Sequence, residues 1–415
     1  MTTLTMKDEK RLAIIQRVFR GELTVVEAAV VLSVSERQCY RIKAQVKKEG
    51  AKGVIHGNRG RVCKHKIKDT TVNQIVNLVG GKYQGFNDHH LTEKLADEEK
   101  IVLSREKVRQ LLRAHGIASP RKRRGIKHRS RRERRAAEGM MLQVDGSPHD
   151  WLEGRGPRLC LIGAIDDATG IVPGAFFQEA ESSWAYFQLF SSIFRQHGLS
   201  QSVYADRHSV FWTDREPTRD EQLINKRPTT EVGRGLEELG VTLILAGSPQ
   251  AKGRIERLWG TFQDRLVSEL RLAGAKTQAQ AQVVLDRYLP IHNRRFSKPA
   301  GNVLPAWKKV SIQQIRQALC FKDQRTVAKD NTVTFEGTVF QIPKKSPFGS
   351  HANKRIDVHV MLDGAVEFFY KKEKIASFDS KTTHALGLYR TPAKRAGFRY
   401  GPISNMEMDQ PNLAP

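Results

Sequence analysis

The sequence predicts a multidomain chain with all-α modules at the N terminus, a central α/β core and a small β-barrel at the C terminus. Three observations lead there. At 415 residues, and roughly 100–200 residues per domain, the chain has room for several modules, each with its own core. Its apolar residues recur at helical spacing up to His115, then as short strand-like runs alternating with helical ones, and after Pro299 as strict apolar/polar alternation. Charge is also uneven. The formal net charge is +26, and residues 1–139 hold 33 basic against 15 acidic side chains, a net +18. Such a front end attracts polyanions, although charge alone leaves DNA, RNA, ribosome and membrane surface all open.

The counts exclude other classes. Cys39, Cys63, Cys160 and Cys320 form no C-x-x-C pair, so neither a disulfide framework nor a cysteine zinc site is predicted, and a reducing cytosol is the natural compartment. No apolar run approaches the ~20 residues that span a bilayer. The start, Met1-Thr-Thr-Leu-Thr-Met-Lys-Asp-Glu-Lys, has no signal-peptide core. A cytoplasmic chain without a membrane partner is expected.

Residues 1–50 read as a helix-turn-helix domain. Leu12, Ile14, Ile15, Val18 and Phe19 mark a first helix stopped by Gly21; Thr24 and Glu27 form a capping box for a second; Ser33-Val-Ser is a tight turn, and Ser35 caps a third. The third helix exposes Arg37, Gln38, Arg41, Lys43 and Lys47. In such modules the helix after the turn enters the major groove. Gln38 and Arg41 are therefore predicted base readers, with Lys43 beside them. A structural three-helix bundle with a basic face is the alternative. Residues 51–68 are glycine-rich and read as a flexible linker.

Residues 69–118 carry a second helical set, over Thr70 to Val79, Asp88 to Asp97 and Ser104 to His115. The last is capped by Ser104 and bears Arg105, Lys107, Arg109 and Arg113. A second helix-turn-helix-like reader, with Arg105 and Arg109 on DNA, or a plain helical spacer would both suit this pattern. The basic linker 119–138 contains ten Lys/Arg and one Glu over 121–135, from which no core can be built. Arg121, Lys122, Arg123, Arg124, Arg129, Arg131 and Arg132 are predicted to track phosphates, each contact steepening the salt dependence of binding.

The core, 139–300, begins with three strands: Leu142 to Asp145, Leu159 to Ile165 and Ile171 to Phe177. Helix Ser183 to His197, strand Ser202 to Ala205, a helix before Gly240, strand Val241 to Leu245 and a helix from Gly253 follow. Antiparallel strands followed by β-α units make the ribonuclease-H-like order. A polar insertion between Phe211 and Glu231 is expected to loop over the site.

Three acids stand at informative places in this core. Asp145 and Asp206 end apolar strand-like runs, and Glu256 opens a long amphipathic helix after a Gly/Ser/Pro turn. Mg²⁺ is commonly held by a few carboxylates plus substrate phosphate, so the three together suggest catalytic metal ligands for two Mg²⁺ ions, which Mn²⁺ can replace. Lys252 and Arg254, at the start of that helix, are candidates to hold a phosphate; a solvated helix start is the other reading. His149 and His208 lie near the acids in sequence and are auxiliary candidates, as phosphate contacts or as structural histidines. Asp166 and Asp167 sit in the hairpin context Asp166-Asp-Ala-Thr-Gly and are expected to be turn residues, not metal ligands.

The strings Gln143-Val-Asp-Gly-Ser-Pro-His-Asp-Trp, Asp206-Arg-His-Ser-Val-Phe and Ser248-Pro-Gln-Ala-Lys-Gly-Arg-Ile-Glu-Arg resemble bacterial insertion-sequence transposases with a retroviral-integrase-type core, most closely the ISNCY group. Leu266-Val-Ser-Glu-Leu-Arg-Leu-Ala-Gly and Tyr288 to Phe296 look like the close of that core. The resemblance implies an acidic triad at Asp145, Asp206 and Glu256, with Asp145 bridging two metals. It implies a DNA transposase that binds the terminal inverted repeats of its element, cleaves 3′ ends and joins them to target DNA. It also implies a homodimer or larger assembly on double-stranded DNA and a bacterial, nucleoid-associated setting. Two departures are visible: 50 residues separate the second acid from the third, and no His/Cys zinc domain precedes the core. A regulator with an inert core and a nuclease without strand transfer are the competing functions.

Residues 301–390 alternate as Thr332-Val-Thr-Phe, Thr338-Val-Phe-Gln-Ile, Ile356 to Leu362 and Ala365 to Tyr370, with a turn at Asp363-Gly. They predict the C-terminal β-barrel, with Lys344, Lys345, Lys354 and Arg355 as possible contacts to DNA or another subunit. The tail 391–415 is expected to be disordered.

Overall fold

The structure is a computed structural model that describes residues 4–59, 66–120, 132–223, 225, 227–247, 253–343, 349–379, 381 and 382. The chain divides into two compact units, Met1–Ile75 and Val76–Pro415.

The first unit follows its capping signals. Helix α1 (Met6–Phe19) begins where Asp8 accepts from the Thr5 amide and hydroxyl, α2 (Val25–Val31) where Thr24 and Glu27 cap each other, and α3 (Glu36–Glu49) where Ser35 accepts from the Gln38 amide. Ser33 turns the chain between α2 and α3 with φ of 52°. Ile15, Val18, Ala28, Ala29, Cys39, Ile42 and Val46 bury one face of each helix. The expected linker over 51–68 is in part a structural element. A 3₁₀ turn, Gly50–Val54, buries Val54, and Arg59 forms an ion pair with the buried Asp8 of α1. The glycine content that predicted flexibility has another cause at Gly53, where a Cβ would stand 2.5 Å from the Gln45 backbone.

In the second unit, α4 (Asp69–Gly80), whose first residues belong to the other side of the division, leads to α5 (Asp88–Asp97) and α6 (Arg105–Ala114). Asn87 caps α5 and Ser104 caps α6. The core sheet comprises β1 (Leu142–His149), β2 (Leu159–Asp166), β3 (Gly174–Gln178), β4 (Ser202–Ala205) and β5 (Thr242–Leu245), in the order β3-β2-β1-β4-β5. The pairs β1–β2 and β2–β3 are antiparallel; β1–β4 and β4–β5 are parallel. This is the predicted α/β order. Strand β3 starts at Gly174 instead of Ile171, just past Pro173, which has no amide hydrogen to give a ladder.

Helices α7 (Ser183–His197), α8 (Arg219–Leu223) and α9 (Glu231–Glu238) connect these strands, and α10 (Gly253–Leu272) and α11 (Gln278–Phe296) follow them. Side-chain alternation along β1 and β2 makes two cores. Leu142, Val144 and Ile162 meet α7, whereas Leu159, Leu161 and Ile165 belong to the cluster of Ile255, Trp259, Phe262 and Leu266 on α10.

The C-terminal part holds α12 (Ile312–Ala318), β6 (Phe321–Thr326), β7 (Thr332–Phe335), β8 (Thr338–Gln341), β9 (Arg355–Val360), β10 (Val366–Tyr370) and β11 (Glu373–Phe378). The expected barrel is not found among the described residues. The strands form an open sheet, β11-β10-β9-β6, and a separate β7-β8 hairpin. Phe321 packs on Trp184 and Phe187 of α7 at ring separations of 6.2 and 5.2 Å, and Phe340 of the hairpin meets Phe368 and Phe378 of the sheet at 5.3 and 4.9 Å, so α7 and the hairpin cover the apolar face without the sheet having to close on itself. Lys344, Lys345 and the tail 391–415 lie outside the described residues. No helix of the described residues is long and apolar enough to cross a membrane. Cys39, Cys160 and Cys320 are buried and unpaired.

Candidate active site

Strand β1 carries the first acid on its α10 face. The parallel ladder to β4 pairs Leu142 with Val203 and Gln143 with Tyr204. Asp145 and Asp206 each lie two residues beyond that last pair, past the point where the two strands part, and Asp145 is on the face of Gln143. Contrary to the expectation that Asp145 ends its strand, β1 runs on to His149, because its antiparallel ladder with β2 continues after the parallel one stops.

Helix α10 lies along the same face of β1 and is fastened at intervals of four residues. The Ile255 amide donates to Gln143 Oε1 at 3.4 Å, the Trp259 indole donates to Asp145 Oδ2 at 3.1 Å, and Gln263 Nε2 donates to Ser147 Oγ at 3.2 Å. Glu256, exposed in the first turn of α10, lies between the first two of these fastenings. Gly163, the cross-strand partner of Asp145, clears the space for the indole, since a Cβ there would stand 3.0 Å from Trp259 Cη2.

A fourth acid, absent from the sequence reading, approaches from the other side. Glu181 lies against Gly146, where a Cβ would be 2.2 Å from its Oε1, and accepts from the Tyr186 hydroxyl at 2.8 Å. Burial pushes its carboxyl above the usual range; the Tyr186 hydroxyl and the His208 charge oppose that, and the nearby Asp145 and Asp206 charges add to it. No local pattern marks Glu181 in the sequence, because it stands before the cap of α7 with no strand or motif around it.

His208 belongs to this cluster. Its backbone amide donates to Asp206 Oδ1 at 3.1 Å, and its Nδ1 is 4.0 Å from Glu181 Oε2. His149 does not. It stands four residues further along β1 from Asp145, about 13 Å at the rise of a strand, and meets Trp151 edge-on at 5.3 Å. Among the described residues no three His, Cys, Asp or Glu side chains are close enough to hold an ion between them. Asp145, Asp206 and His208 lie near enough to Glu181 for their charges to act on its carboxyl, whereas Glu256 is exposed one residue after the Ile255 contact to β1.

The hairpin aspartates are turn residues, and one of them is more. Asp166 accepts from the Thr169 amide and hydroxyl and from the Gly139 amide, at 2.8–2.9 Å. Asp167, fully buried, accepts from Gln143 Nε2 at 2.8 Å, Arg254 Nη1 at 2.7 Å, the Arg135 amide at 2.9 Å, and Arg132. Arg254 is therefore engaged inside the protein, with 9% of its side chain exposed. Arg132 keeps 41%.

The remaining predicted contacts are distributed as follows. Gln38 and Arg41 are exposed on α3, which buries Cys39, Ile42 and Val46, and Lys43 lies 5.7 Å over the Phe19 ring. On α6, Arg105 is exposed, whereas Arg109 is held by Glu106 at 2.6 Å and Arg113 by Asp88 at 2.5 Å. Helix α5 docks on the far half of α10: Glu93 takes Arg265 at 2.6 Å, and Glu269 takes His90 at 2.7 Å and Lys94 at 2.8 Å. Arg121, Lys122, Arg123, Arg124, Arg129, Arg131 and Lys252 lie outside the described residues.

A helix-turn-helix domain family matches residues 10–61, the segment that includes α2, the Ser33 turn and α3. The chain is similar to the protein described as "Putative transposase y4bF" of Sinorhizobium fredii, at 31% identity over 93% of this chain and 84% of that one. It is also similar to the transposase for insertion sequence IS1202 of Streptococcus pneumoniae, at 30% identity over 70% and 69% of the two chains. Solved structures with a partial likeness include the catalytic core domain of BIV integrase, with 15% identity, 35% of this chain and 81% of that one covered, and a TM-score of 0.24. Another is a simian T-cell lymphotropic virus intasome in complex with a PP2A regulatory subunit, with 12% identity, 73% and 99% covered, and a TM-score of 0.31. The extent of the two sequence matches, together with the N-terminal helix-turn-helix and the α/β core, establishes that the chain belongs to the insertion-sequence transposases.

Proposed function

We propose that this transposase binds the terminal inverted repeats of its own element, cleaves their 3′ ends and joins them to target DNA, with Asp145, Asp206 and Glu256 as the catalytic acids. The single observation that carries this reading is the convergence of the acid-bearing segments: the parallel ladder of β1 and β4 ends two residues before Asp145 and Asp206, and α10 is bonded to β1 through Ile255 and Trp259, which flank Glu256 in sequence.

The donor set fits Mg²⁺ or Mn²⁺. All three donors are carboxylates, and the Glu181 carboxyl, raised first by its burial, is raised further by the nearby Asp145 and Asp206 charges, negative charge that a divalent cation would offset. An open arrangement suits Mg²⁺, which keeps waters and substrate phosphate among its ligands. Asp145 would be shared by two ions, Asp206 would complete one site and Glu256 the other. Bound there, such ions lower the pKa of the attacking hydroxyl and stabilise the departing oxygen. The protein's own part is positioning: Trp259 orients Asp145, the Asp206–His208 turn holds the second acid, and α10 presents the third. Gln38 and Arg41 read the repeat in the major groove, supported by Lys43 and Arg105, while the basic linker tracks the backbone. Two ends require two active sites, hence a dimer or larger assembly on DNA, acting on the nucleoid in the cytoplasm. Within the family, the resemblance of the acid-bearing strings supports the ISNCY group.

The test incubates the protein with Mg²⁺ or Mn²⁺, DNA flanking its gene and a supercoiled plasmid, alongside Asp145→Asn and Glu256→Gln. End-specific nicks and joined products from the unsubstituted protein alone support the reading. Nicking without joining would instead indicate a nuclease, and wild-type cleavage in either variant would overturn the acid assignment.

A further inference from the structure

We propose that Asp167 is a positioning residue for the transposition reaction, joining the strand of Asp145 to the helix of Glu256 and tying the end of the basic linker to both. The proposal rests on the acid assignment above.

The turn between β2 and β3 does not require a buried charge at this position. Asp166 already supplies the turn's side-chain acceptors, to Thr169 and Gly139. A fully buried carboxylate is costly unless its charge and lone pairs are met, and those of Asp167 are met by groups from three separate segments. Gln143 stands two residues before Asp145 on the same face of β1. Arg254 stands two residues before Glu256 in the first turn of α10. Oδ1 of Asp167 accepts from both, at 2.8 and 2.7 Å, and the amide oxygen of Gln143 accepts in turn from Ile255 at 3.4 Å. The third segment is the last stretch of the basic linker. Arg132 and the Arg135 amide bind the Asp167 carboxylate, Arg134 reaches the Asp167 and Ala168 carbonyls at 3.4 and 2.8 Å, and Arg254 also donates to the Arg132 carbonyl at 3.1 Å.

The placement matters because Glu256 lies in a first helical turn, where backbone amides lack intrahelical acceptors and the helix frays most readily. A carboxylate held there sits within reach of its partners only if the turn is fixed from outside. The Asp167 node fixes it one residue before Ile255, against the strand that carries Asp145. The same node makes the arrival of the linker part of the site's geometry, since Arg132 remains partly exposed while bound to Asp167.

The experiment uses the full chain without metal first. Hydrogen exchange over residues 253–259 is compared between wild type and Asp167→Asn, which keeps shape and loses charge. Manganese binding by calorimetry and 3′-end cleavage kinetics on the element's own ends follow. Exchange at Ile255 is expected to speed up about tenfold, and Mn²⁺ affinity to fall about tenfold, the low end of the loss on removing a direct partner of a metal ligand, because Asp167 acts on the acids through their neighbours. Cleavage kcat should fall with KM for end DNA unchanged. Arg254→Lys, which keeps the charge and a donor but loses the guanidinium fork, should show the same signs more weakly, and it replaces Asp167→Asn if that variant does not fold. Unchanged exchange over 253–259 in the folded variants overturns the proposal. So does a failure of both to fold, which would make the node a stability element. Asp145→Asn is the separate control: if it leaves Mn²⁺ binding at the wild-type level, the acid assignment fails, while the exchange result still judges Asp167.

Discussion

Adding one methyl group at Gly163 should disturb the site through Trp259. A Cβ there would lie 3.0 Å from Trp259 Cη2, 3.1 Å from Ala175 Cβ and 3.4 Å from the Gly174 carbonyl oxygen. Ordinary carbon contacts need about 3.5–4.0 Å. Ala175 and Gly174 are held in the β2–β3 ladder, so the indole must give way. Overpacking of this kind costs about 1–3 kcal/mol, or a Tm drop of several degrees at about 2–4 °C per kcal/mol. A shift of half an ångström also takes the indole out of hydrogen-bond range of Asp145, 3.1 Å away. A bond to a charged group is worth about 1.5–3 kcal/mol, and water replaces part of it at this half-buried carboxylate, so cleavage should fall about tenfold. Thermal unfolding and 3′-end cleavage are measured for Gly163→Ala, with Gly57→Ala, where a new Cβ meets nothing within 4 Å, as baseline. The double variant Gly163→Ala/Trp259→Phe removes the clashing edge and should regain stability without regaining activity. If Gly163→Ala melts and cleaves like wild type, or the double variant regains nothing, the linkage from Gly163 through Trp259 to Asp145 is wrong.

Two further outcomes concern stability. Burial, helped by the Arg265 charge, pulls the His292 imidazole down to about 4 from an ordinary 6.5. The unfolded chain therefore takes a proton that the folded chain refuses between those values, and stability present above pH 6.5 is lost as pH falls towards 4, by up to about 3 kcal/mol; His292→Phe should flatten that part of the urea midpoint against pH. Arg265, 5% exposed, pairs with Glu93 at 2.6 Å, so Arg265→Ala should cost about 3 kcal/mol in denaturant unfolding, and Glu93→Gln/Arg265→Met should cost less, because no buried charge is left alone.

Local chemistry made most of the elements legible. Thr24 with Glu27, Ser35, Asn87 and Ser104 set helix starts through bonds to nearby amides, and α7 spans the predicted Ser183–His197. Strand β6, Phe-Lys-Asp-Gln-Arg-Thr, was not legible: it is mostly polar and owes its place to pairing with β9. The absence of a closed barrel was hidden for the same reason, since alternation marks strands with one covered face but not what covers it. In the site, the acids were visible as carboxylates in strand and helix contexts. Their supports were not. Gln143 read as part of a strand and Asp167 as a turn former, and nothing drew attention to Glu181, because contacts between residues far apart in sequence leave no periodic trace. Arg254 read as a phosphate ligand on its position at a helix start; its partner, 87 residues away, is visible only in the fold.

Helix α10 is held by different parts of the molecule in turn, by β1 from Ile255 to Gln263 and by α5 from Arg265 onward. From Ile255 to Arg265 the helix rises ten residues, about 15 Å, and the two sets of contacts fix it as a ruler with a set phase. Inserting one residue between them would rotate one end against the other by about 100°, turning either Trp259 from Asp145 or Arg265 from Glu93, whereas seven residues, close to two whole turns, would restore the phase to within about 20°. Variation in length within this segment is thereby confined to steps the helix can absorb as whole turns, and a chimaera that joins the catalytic end of one transposase to the docking end of another must cut α10 in phase.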